Sequence, residues 1–375
     1  MPPVHPKHRD QSSLESIINF SPPQPFTPVQ RARAQRRFYD IINHFNAVDS
    51  SKRHGYSPTL LLRYTYEYSR SELSQDVFLQ ALFRSLEVDI EEEHINLNDE
   101  KLGDQLTSFA DFLIDYFFLP LKASGHRTPQ PSPAHLSAIR AVQGIHEFTG
   151  TPDRVSFLRG SCLIRDHHRC VISRHFDQQE AIARLTKDAN NARDDEGNPL
   201  KGQPSMILEV AHILPHSLTQ DDSKKAALMI LNMFDCDVSH LIDGINIDRP
   251  LNAMSLTRDL HTHFGNFVVF FEPVPNQERT YRVDTFLPPG ILQDIPVTRT
   301  LYLADTPIEP PSPRLLAIHC AIAHILHLSG AGEYIDNILR DMEEKGIQEN
   351  GSTPLGRIVQ LSLGGWLDSV VGAYV

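Results

Sequence analysis

Two segments in the middle of the chain constrain its fold more than any other feature of the sequence. In the segment 206–218, MILEVAHILPHSL, the apolar residues suit a strand, and this strand carries His212. In the segment 245–274, Asn252 opens a turn, and SLTRDLHTHF has helical spacing and carries His261. A strand histidine, an asparagine and a helix histidine therefore follow one another along the chain.

A third segment, SCLIRDHHRCVIS at 161–173, is typical of a strand or a short helix that leads into a hairpin. AALMILNMF at 226–234 predicts an inserted helix, and 267–271 predicts a strand. The patterns R-x-x-x-R-C-V-I-S, A-H-I-L-P and N-A-M-S-L-T-R-D-L-H-T-H-F together resemble the HNH endonuclease family, in the variety found in uncharacterised fungal proteins. The resemblance extends from about Arg154 to Val283. It implies the ββα-metal fold, in which a hairpin is laid against a helix, and the strand histidine and the helix histidine are expected to face one divalent metal across a shared groove.

The resemblance also implies a role for each polar residue. His212 would be the general base, and Asn252 would fix the loop and orient the His212 ring through its amide. His261 would bind a divalent metal, which could be magnesium, manganese, nickel or zinc. Arg165 and Arg169 would contact phosphates of the substrate, which we expect to be DNA. Phosphodiester hydrolysis needs a base, a cation beside the phosphate oxygens and a stabiliser for the leaving alkoxide, and these residue types supply them.

Two positions depart from the family pattern. Many HNH nucleases carry an Asp or His metal ligand immediately before the base histidine, where this chain has Ala211. Many also carry a ligand four residues after the helix histidine, one turn on, where this chain has Gly265. His261 is therefore the single firmly predicted ligand, although Mg²⁺ usually takes several oxygen ligands and keeps bound waters.

Three other places could supply a further ligand. Asp259 and His263 are one helical turn apart, which is ligand spacing, but they lie on a different face from the helix histidine. Asp259 or His263 is therefore a possible metal ligand of lower rank than His261. Glu209 precedes the strand histidine by three residues, so strand alternation puts it on the opposite face unless a bulge intervenes. His216 could fold back onto the loop.

Each of these residues also has a purely structural interpretation. A single His212 on an apolar strand is more often a hydrogen-bonded core residue, and Asn252 is more often a turn residue. Their conjunction in the family's order favours a metal-dependent endonuclease that hydrolyses phosphodiester bonds in DNA. The alternative is a catalytically degenerate HNH module that binds nucleic acid or another protein. A third option is that the histidines are structural and the helical flanks bind a partner.

The flanks have helical periodicity, so we expect an α+β protein with helical regions on both sides of the HNH module. A helical pattern begins at Pro28, Ser71 or Ser74 is a candidate N-cap further on, and Pro120 is expected to end an apolar helix. The predicted organisation is a disordered segment 1–27, a helical region 28–121, a linker 122–135, an HNH-like domain 136–287, a proline-rich connector 288–313 and a helical region 314–375.

The C-terminal region contains three closely spaced histidines. His319, His324 and His327 fall on an apolar helical pattern, at spacings of five and three residues. A metal-binding pair is one interpretation. The favoured one is that these side chains satisfy local hydrogen bonds, as helix histidines usually do.

The net charge of −12 does not indicate a nucleic-acid-binding protein, because phosphate-binding surfaces are usually basic. Charge is uneven, however, and a strip between residues 153 and 175 is basic. This strip contains Arg154, Arg159, Arg165, Arg169 and Arg174. A phosphate-facing site and ordinary solvated arginines are both consistent with it.

The four cysteines form no C-x-x-C pair, so we expect reduced thiols of an intracellular protein, either cytoplasmic or nuclear. The N-terminal residues contain no apolar core of a secretory signal, and no apolar run is long enough to cross a membrane. The resemblance to HNH endonucleases makes nucleic acid the expected partner. A membrane is not expected as a partner, because no apolar run is long enough to cross one. The sequence leaves the oligomeric state open.

Overall fold

The structure is a computed structural model that describes residues 24–48, 55–92, 95–125, 151–215, 222–301 and 307–345. The described residues form an α+β fold, as predicted, in which helices surround three small sheets. The predictions for the N-terminal segment, for most of the linker, for His216 and for the C-terminal tail lie outside the described residues.

Helices form the N-terminal region. Ser71 caps the third of them, because its hydroxyl accepts a hydrogen bond from Ser74 N at 3.1 Å. The prediction that Pro120 ends a helix was wrong. A π-helical turn, Ile114–Phe118, leads directly into another helix with Pro120 as its second residue, so the helix continues past the proline with a local change of hydrogen-bond pattern. The helices are α1 Pro28–Val48, α2 Pro58–Glu67, α3 Glu72–Ser85, α4 Glu100–Leu113 and α5 Leu119–Gly125.

The segment 161–173 takes the helical alternative. It begins as the end of a helix and continues into a tight turn, in which His167 and His168 have left-handed backbone conformations with φ of 58° and 53°. A short parallel strand pair follows, with a helix between its strands. These elements are α6 Thr151–Arg165, β1 Phe176–Asp177, α7 Gln178–Asp188 and β2 Ser205–Met206.

The central element is an antiparallel pair of strands, β3 Leu208–His212 and β4 Ala253–Thr257, followed at once by α9 Arg258–Gly265. The hairpin between the strands carries a long insertion that contains α8, Asp222–Asn232, as the sequence predicted. The helical spacing predicted from Ser255 onward was wrong for its first residues, which belong to β4. Their alternation of apolar and polar residues matches the two-residue period of a strand.

A second antiparallel sheet follows α9. It consists of β5 Val269–Pro273, β6 Thr280–Thr285 and β7 Val297–Thr300, in that order. The predicted strand at 267–271 corresponds to β5 and is shifted by two residues. The predicted connector 288–313 contains β7, whose Arg299 donates a hydrogen bond to Ile172 O at 2.6 Å. This stretch is therefore part of the folded structure and not only a linker.

Two helices, α10 Pro313–Ser329 and α11 Ala331–Lys345, complete the described chain. Gly330 ends α10 in a left-handed conformation with φ of 75°, which glycine adopts without steric cost. A single hydrophobic cluster runs through the N-terminal helices, the central strands and the C-terminal helices, and it includes Phe118, Phe234, Phe264 and Leu316. The predicted regions therefore share one core.

No single helix among the described residues has both the length and the apolar character needed to cross a membrane. The pair formed by Pro313–Ser329 and Ala331–Asp341 meets the length and composition requirement only jointly, and it is bent by 86° at the break.

Candidate active site

The strand histidine is the last residue of β3 and is buried. Its Nε2 lies 3.3 Å from Asp248 Oδ1, so the ring donates to this carboxylate. Asp248 Oδ2 in turn accepts a hydrogen bond from Arg154 Nε of α6 at 3.2 Å. His212, Asp248 and Arg154 therefore form a buried chain that joins the strand, the insertion and the preceding helix.

Asn252 fixes the loop that follows the strand histidine. Its Oδ1 accepts a hydrogen bond from Leu214 N, and its Nδ2 donates to Leu214 O and Ile247 O, each at 3.0 Å. The side chain is fully buried. Among the hydrogen bonds of the described residues, this amide bonds to backbone and not to the His212 ring. The carboxylate of Asp248 occupies the orienting position that the sequence assigned to the amide.

The helix histidine, His261, forms a second pair of this kind. Its Nδ1 lies 2.8 Å from Glu209 Oε2, and the resulting hydrogen bond lowers the pKa of Glu209. The other carboxylate oxygen, Oε1, lies 3.8 Å from Arg258 Nε. His261 Nε2 is buried and has no hydrogen-bond partner among the described residues. The lone pair of a metal-binding imidazole would be on this nitrogen.

The two pairs lie on opposite faces of the hairpin. The register of β3 against β4 is continuous, so alternate residues point to opposite sides. Glu209 and Ala211 face α9, whereas Val210 packs with Ala253 and α6, on the His212 side. Glu209 thus reaches the helix histidine without the bulge that we expected it to need. The expectation that the two imidazoles face one metal was therefore wrong, because the hydrogen bonds hold them in separate pairs on opposite faces.

The lesser ligand candidates do not join His261. Asp259 is exposed and His263 is half-buried, and Gly265 closes the helix. Within the described ranges, no three histidine, cysteine, aspartate or glutamate side chains are grouped so that they could hold a metal ion. Any metal at this site would therefore have His261 and the adjacent Glu209 as its protein surroundings.

This geometry agrees with a comparison against protein families, in which residues 170–272 match the model of the HNH endonuclease family. The central region is therefore similar to the HNH endonuclease family over residues 170–272. The match extends from the turn after α6 into β5, so it includes both imidazoles, Asn252 and Glu209 but not Arg154. The family and fold that the sequence predicted are thereby confirmed, although the match does not identify the fungal variety. Searches of curated proteins and of solved structures gave no match.

Arg165 does not lie at the surface of the HNH module, where a phosphate contact would require it. The side chain is fully buried, and each of its five N–H donors has an acceptor. The guanidinium bonds to both oxygens of Asp166 and to three backbone carbonyls, those of Pro250, Ala253 and Glu309. This geometry contradicts the predicted phosphate contact and makes Arg165 the residue that fastens α6 to the hairpin.

Arg169 is also committed to internal contacts. It donates to Arg174 O at 2.8 Å, to Asp194 Oδ2 at 2.6 Å and to Gln203 Oε1 at 2.7 Å, and it lies over the ring of Phe176. Burial alone would raise the pKa of Asp194, but its hydrogen bonds outweigh burial and lower the pKa to about 2. Arg169 therefore holds the loop before β2 rather than facing solvent as a phosphate ligand would.

The C-terminal histidines satisfy local contacts, which agrees with the favoured interpretation. His319 is stacked 3.9 Å from the ring of Phe264, and its Nε2 donates to Phe264 O at 2.9 Å. Burial lowers the pKa of His319 to about 3, so the ring is neutral. His324 Nδ1 bonds to Cys320 O, and His327 stacks on Phe286.

The sequence analysis missed Asp248 and its partner Arg154. Asp248 lies in the insertion, in a 3₁₀ turn next to Asn252, and nothing in a single sequence marks one acidic residue there as the partner of a histidine 36 positions away. Glu209 was considered and discounted. The signal that could have identified it was its position two residues before Ala211, on the face where the family's ligand would lie.

Proposed function

We propose that the HNH module of this chain is a divalent-metal-dependent endonuclease that hydrolyses phosphodiester bonds in DNA. The observation that carries the proposal is the Glu209–His261 pair. A carboxylate holds Nδ1 of a buried histidine, while Nε2 has no hydrogen-bond partner among the described residues. Metal-binding histidines characteristically donate their other ring N–H to a carboxylate, because this fixes the tautomer and leaves the free nitrogen as a lone-pair donor.

This donor set is one imidazole nitrogen backed by a carboxylate, which suits Zn²⁺ or Ni²⁺ better than a hard cation such as Mg²⁺. His261 would bind the cation through Nε2, with the carboxylate of Glu209 behind it. Such a cation completes its coordination with water and substrate phosphate, as Mg²⁺ commonly does. When bound, it would polarise the phosphoryl oxygens and neutralise charge on the leaving group. Magnesium, manganese, nickel and zinc are the ions to test.

His212 would act as the general base. Because its Nε2 donates to the Asp248 carboxylate, Nδ1 carries the lone pair that would accept a proton from water. Asp248 would then stabilise the protonated ring, and Arg154 balances the charge of Asp248.

The opposite faces of the two pairs count against a base and a metal that act on one phosphate from a single groove. In the family pattern a metal ligand immediately precedes the base, so ligand and base point to opposite sides of the strand. Here Ala211 has that ligand position, and Glu209 lies on the same face. Asn252 would keep the loop after His212 in one conformation through its bonds to Leu214.

The test is nicking of supercoiled plasmid by the full chain with each of the four metals, alongside binding of the same metals measured by calorimetry. We expect the wild type to cut, and His212→Ala and His261→Ala to lose at least about 100-fold in rate. His261→Ala should also lose metal binding, whereas His212→Ala should keep it. His263→Gln, on the same helix but outside the pair, is the matched control. Equal cutting by wild type and His261→Ala would refute the assignment.

A catalytically degenerate module that binds nucleic acid is the second candidate, and one observation favours it. The three family residues are almost completely buried, with 4% of His212, 0% of Asn252 and 3% of His261 exposed. Retardation of a DNA duplex that weakens with salt, without cutting in any metal, would support this second function. An RNA duplex of the same sequence, run in parallel, separates the two nucleic acids.

A further inference from the structure

His319 of α10 contacts the last turn of α9, the helix that carries His261. Its Nε2 donates a hydrogen bond to Phe264 O at 2.9 Å, and its ring stacks on the rings of Phe264 and Phe267, with centroid distances of 3.9 and 4.6 Å. The side chain is 1% exposed. His319 therefore joins the C-terminal helices to the end of α9, from a position outside the residues that match the family model.

The end of α9 has the hydrogen bonds of a Schellman motif. Phe267 N donates to Phe264 O at 2.9 Å, and Val268 N donates to His263 O at 3.0 Å. The left-handed residue of this motif is usually glycine, but here it is Phe267, with φ of 59°. A bulky residue adopts this region where the surrounding structure enforces it, and the stacked ring of His319 is part of that structure.

The imidazole of His319 is neutral, and one of its nitrogens carries the contact to α9. Burial lowers the pKa of His319 to about 3, and Nδ1 is buried without a hydrogen-bond partner among the described residues. A phenyl ring would occupy nearly the same space and keep the stacking without burying a polar nitrogen. What the imidazole adds is therefore the directed hydrogen bond to Phe264 O.

The C-terminal end of α9 is the end that needs a separate restraint. The helix begins directly after β4, so the sheet fixes its N-terminal end.

A shift at this end would reach His261, because α9 is short. The helix has eight residues, and Phe264 follows His261 by three residues, so the two side chains lie on the same face one turn apart. His261 Nδ1 lies 2.8 Å from Glu209 Oε2 of β3, and a displacement of about 1 Å would break a hydrogen bond of this length. The alignment of His261 with Glu209 therefore depends on how the end of α9 is held.

We propose that His319 is a positioning residue for His261. By holding Phe264 O and the ring of Phe267, it fixes the angle at which α9 presents the His261 imidazole to Glu209. The inference rests on the proposed function in one respect, because it takes His261 as the metal ligand. The alignment of His261 Nδ1 with Glu209 is a property of the metal-free chain and can be measured without the metal.

The test compares His319→Phe with His319→Gln in the full chain. His319→Phe keeps an aromatic ring and removes the donor, whereas His319→Gln keeps an N–H donor and removes the ring. The first readout is the NMR resonance of the proton on Nδ1 of His261 in metal-free protein, because the hydrogen bond to Glu209 protects this proton from exchange with water. We expect the resonance to be lost in His319→Phe and kept in His319→Gln.

The second readout is affinity for Ni²⁺ and Zn²⁺, measured by calorimetry. We expect a loss of at least about tenfold in His319→Phe and of less than about threefold in His319→Gln. Urea unfolding separates positioning from packing, because His319→Phe buries no unpaired polar atom and should be at least as stable as His319→Gln. Metal affinities that follow the order of stability would overturn the proposal.

His327→Phe is the matched control, since His327 lies on the same helix and stacks on Phe286 rather than on α9. It should equal the wild type in both readouts. A His261 resonance that is unchanged in His319→Phe, or absent from the wild type, would also overturn the proposal. If the wild type binds neither metal, the metal assignment fails, and the resonance still decides whether His319 positions His261.

Discussion

The two faces of the β3–β4 hairpin each present a buried imidazole bonded to a carboxylate, but the two carboxylates are held very differently. Asp248 is 2% exposed and is bound by Arg154, whereas Glu209 is 19% exposed and lies near an arginine that is itself 78% exposed. The α6 face is therefore closed and charge-balanced. The α9 face retains a loosely paired carboxylate and an imidazole nitrogen without a partner. The two faces thus differ in how firmly their carboxylates are held, and our proposal places the metal on the face where the carboxylate is held less firmly.

Loss of Arg165 should have the largest effect on the stability of the α6 face. Arg165→Met leaves Asp166 buried without its cation, and we expect a loss of about 3–5 kcal/mol in the free energy of unfolding, measured with urea. Arg249→Met is the control, because its pair with Glu309 is partly exposed, and it should cost less than about 1 kcal/mol. Equal losses in the two variants would show that Arg165 does not fasten α6 to the hairpin.

Asn252 fixes the loop that follows His212, so its loss should destabilise this end of the hairpin. Asn252→Ala leaves the buried N–H and C=O of Leu214 without their partner, and we expect about 2–4 kcal/mol of destabilisation. Asn246→Ala removes an exposed amide with one long hydrogen bond and serves as the control. A cost below about 1 kcal/mol for Asn252→Ala would mean that the loop does not depend on this side chain.

Conservative changes of the two carboxylates test the comparison most directly. Glu209→Gln should lower metal affinity by about 10–100-fold, because Nδ1 of His261 loses its carboxylate acceptor. Asp248→Asn should leave metal affinity unchanged and lower only the cleavage rate. Calorimetry with metal and a nicking assay on the same preparations supply the two measurements. If Asp248→Asn weakens metal binding as much as Glu209→Gln, the division of labour between the faces is wrong.

The smallest expected effect is on the pH dependence of stability. The hydrogen bond from His261 lowers the pKa of Glu209 in the folded state. The pair therefore contributes stability above the ordinary pKa of glutamate, about 4.3, and this contribution is lost as the pH falls through the lowered value. Wild type should lose slightly more stability than Glu209→Gln between about pH 5 and 3. Parallel curves for the two proteins would show that the pair is not formed in solution.

Much of the fold could be predicted because its signals are local. The inserted helix, the Ser71 cap and the order of strand, asparagine and helix each follow from a few neighbouring residues. The boundary between β4 and α9 was misjudged because SLTRDLHTHF fits a helical period as a whole, and only pairing with β3 assigns its first residues to a strand.

The family pattern named candidate site residues, but it could not give their partners. His212, Asn252 and His261 were identified from the family pattern, whereas their contacts to Asp248, to Leu214 and to Glu209 join positions 36, 38 and 52 residues apart. Arg165 and Arg174 belong to one basic strip in the sequence, yet one is fully buried and the other is partly exposed. Charge patterning cannot separate them, because burial is decided by the fold.

The shared core has a practical consequence for anyone who wishes to study the HNH-like region by itself. Phe234 stacks on Phe117 of the N-terminal helices at 5.3 Å, and Phe264 stacks on His319 of the C-terminal helices. A fragment trimmed to residues 170–272 would expose both rings to water and would lack the helix that carries Arg165. We expect such a fragment to be insoluble when expressed, because the region that matches the family model is smaller than the folded unit that buries these two rings.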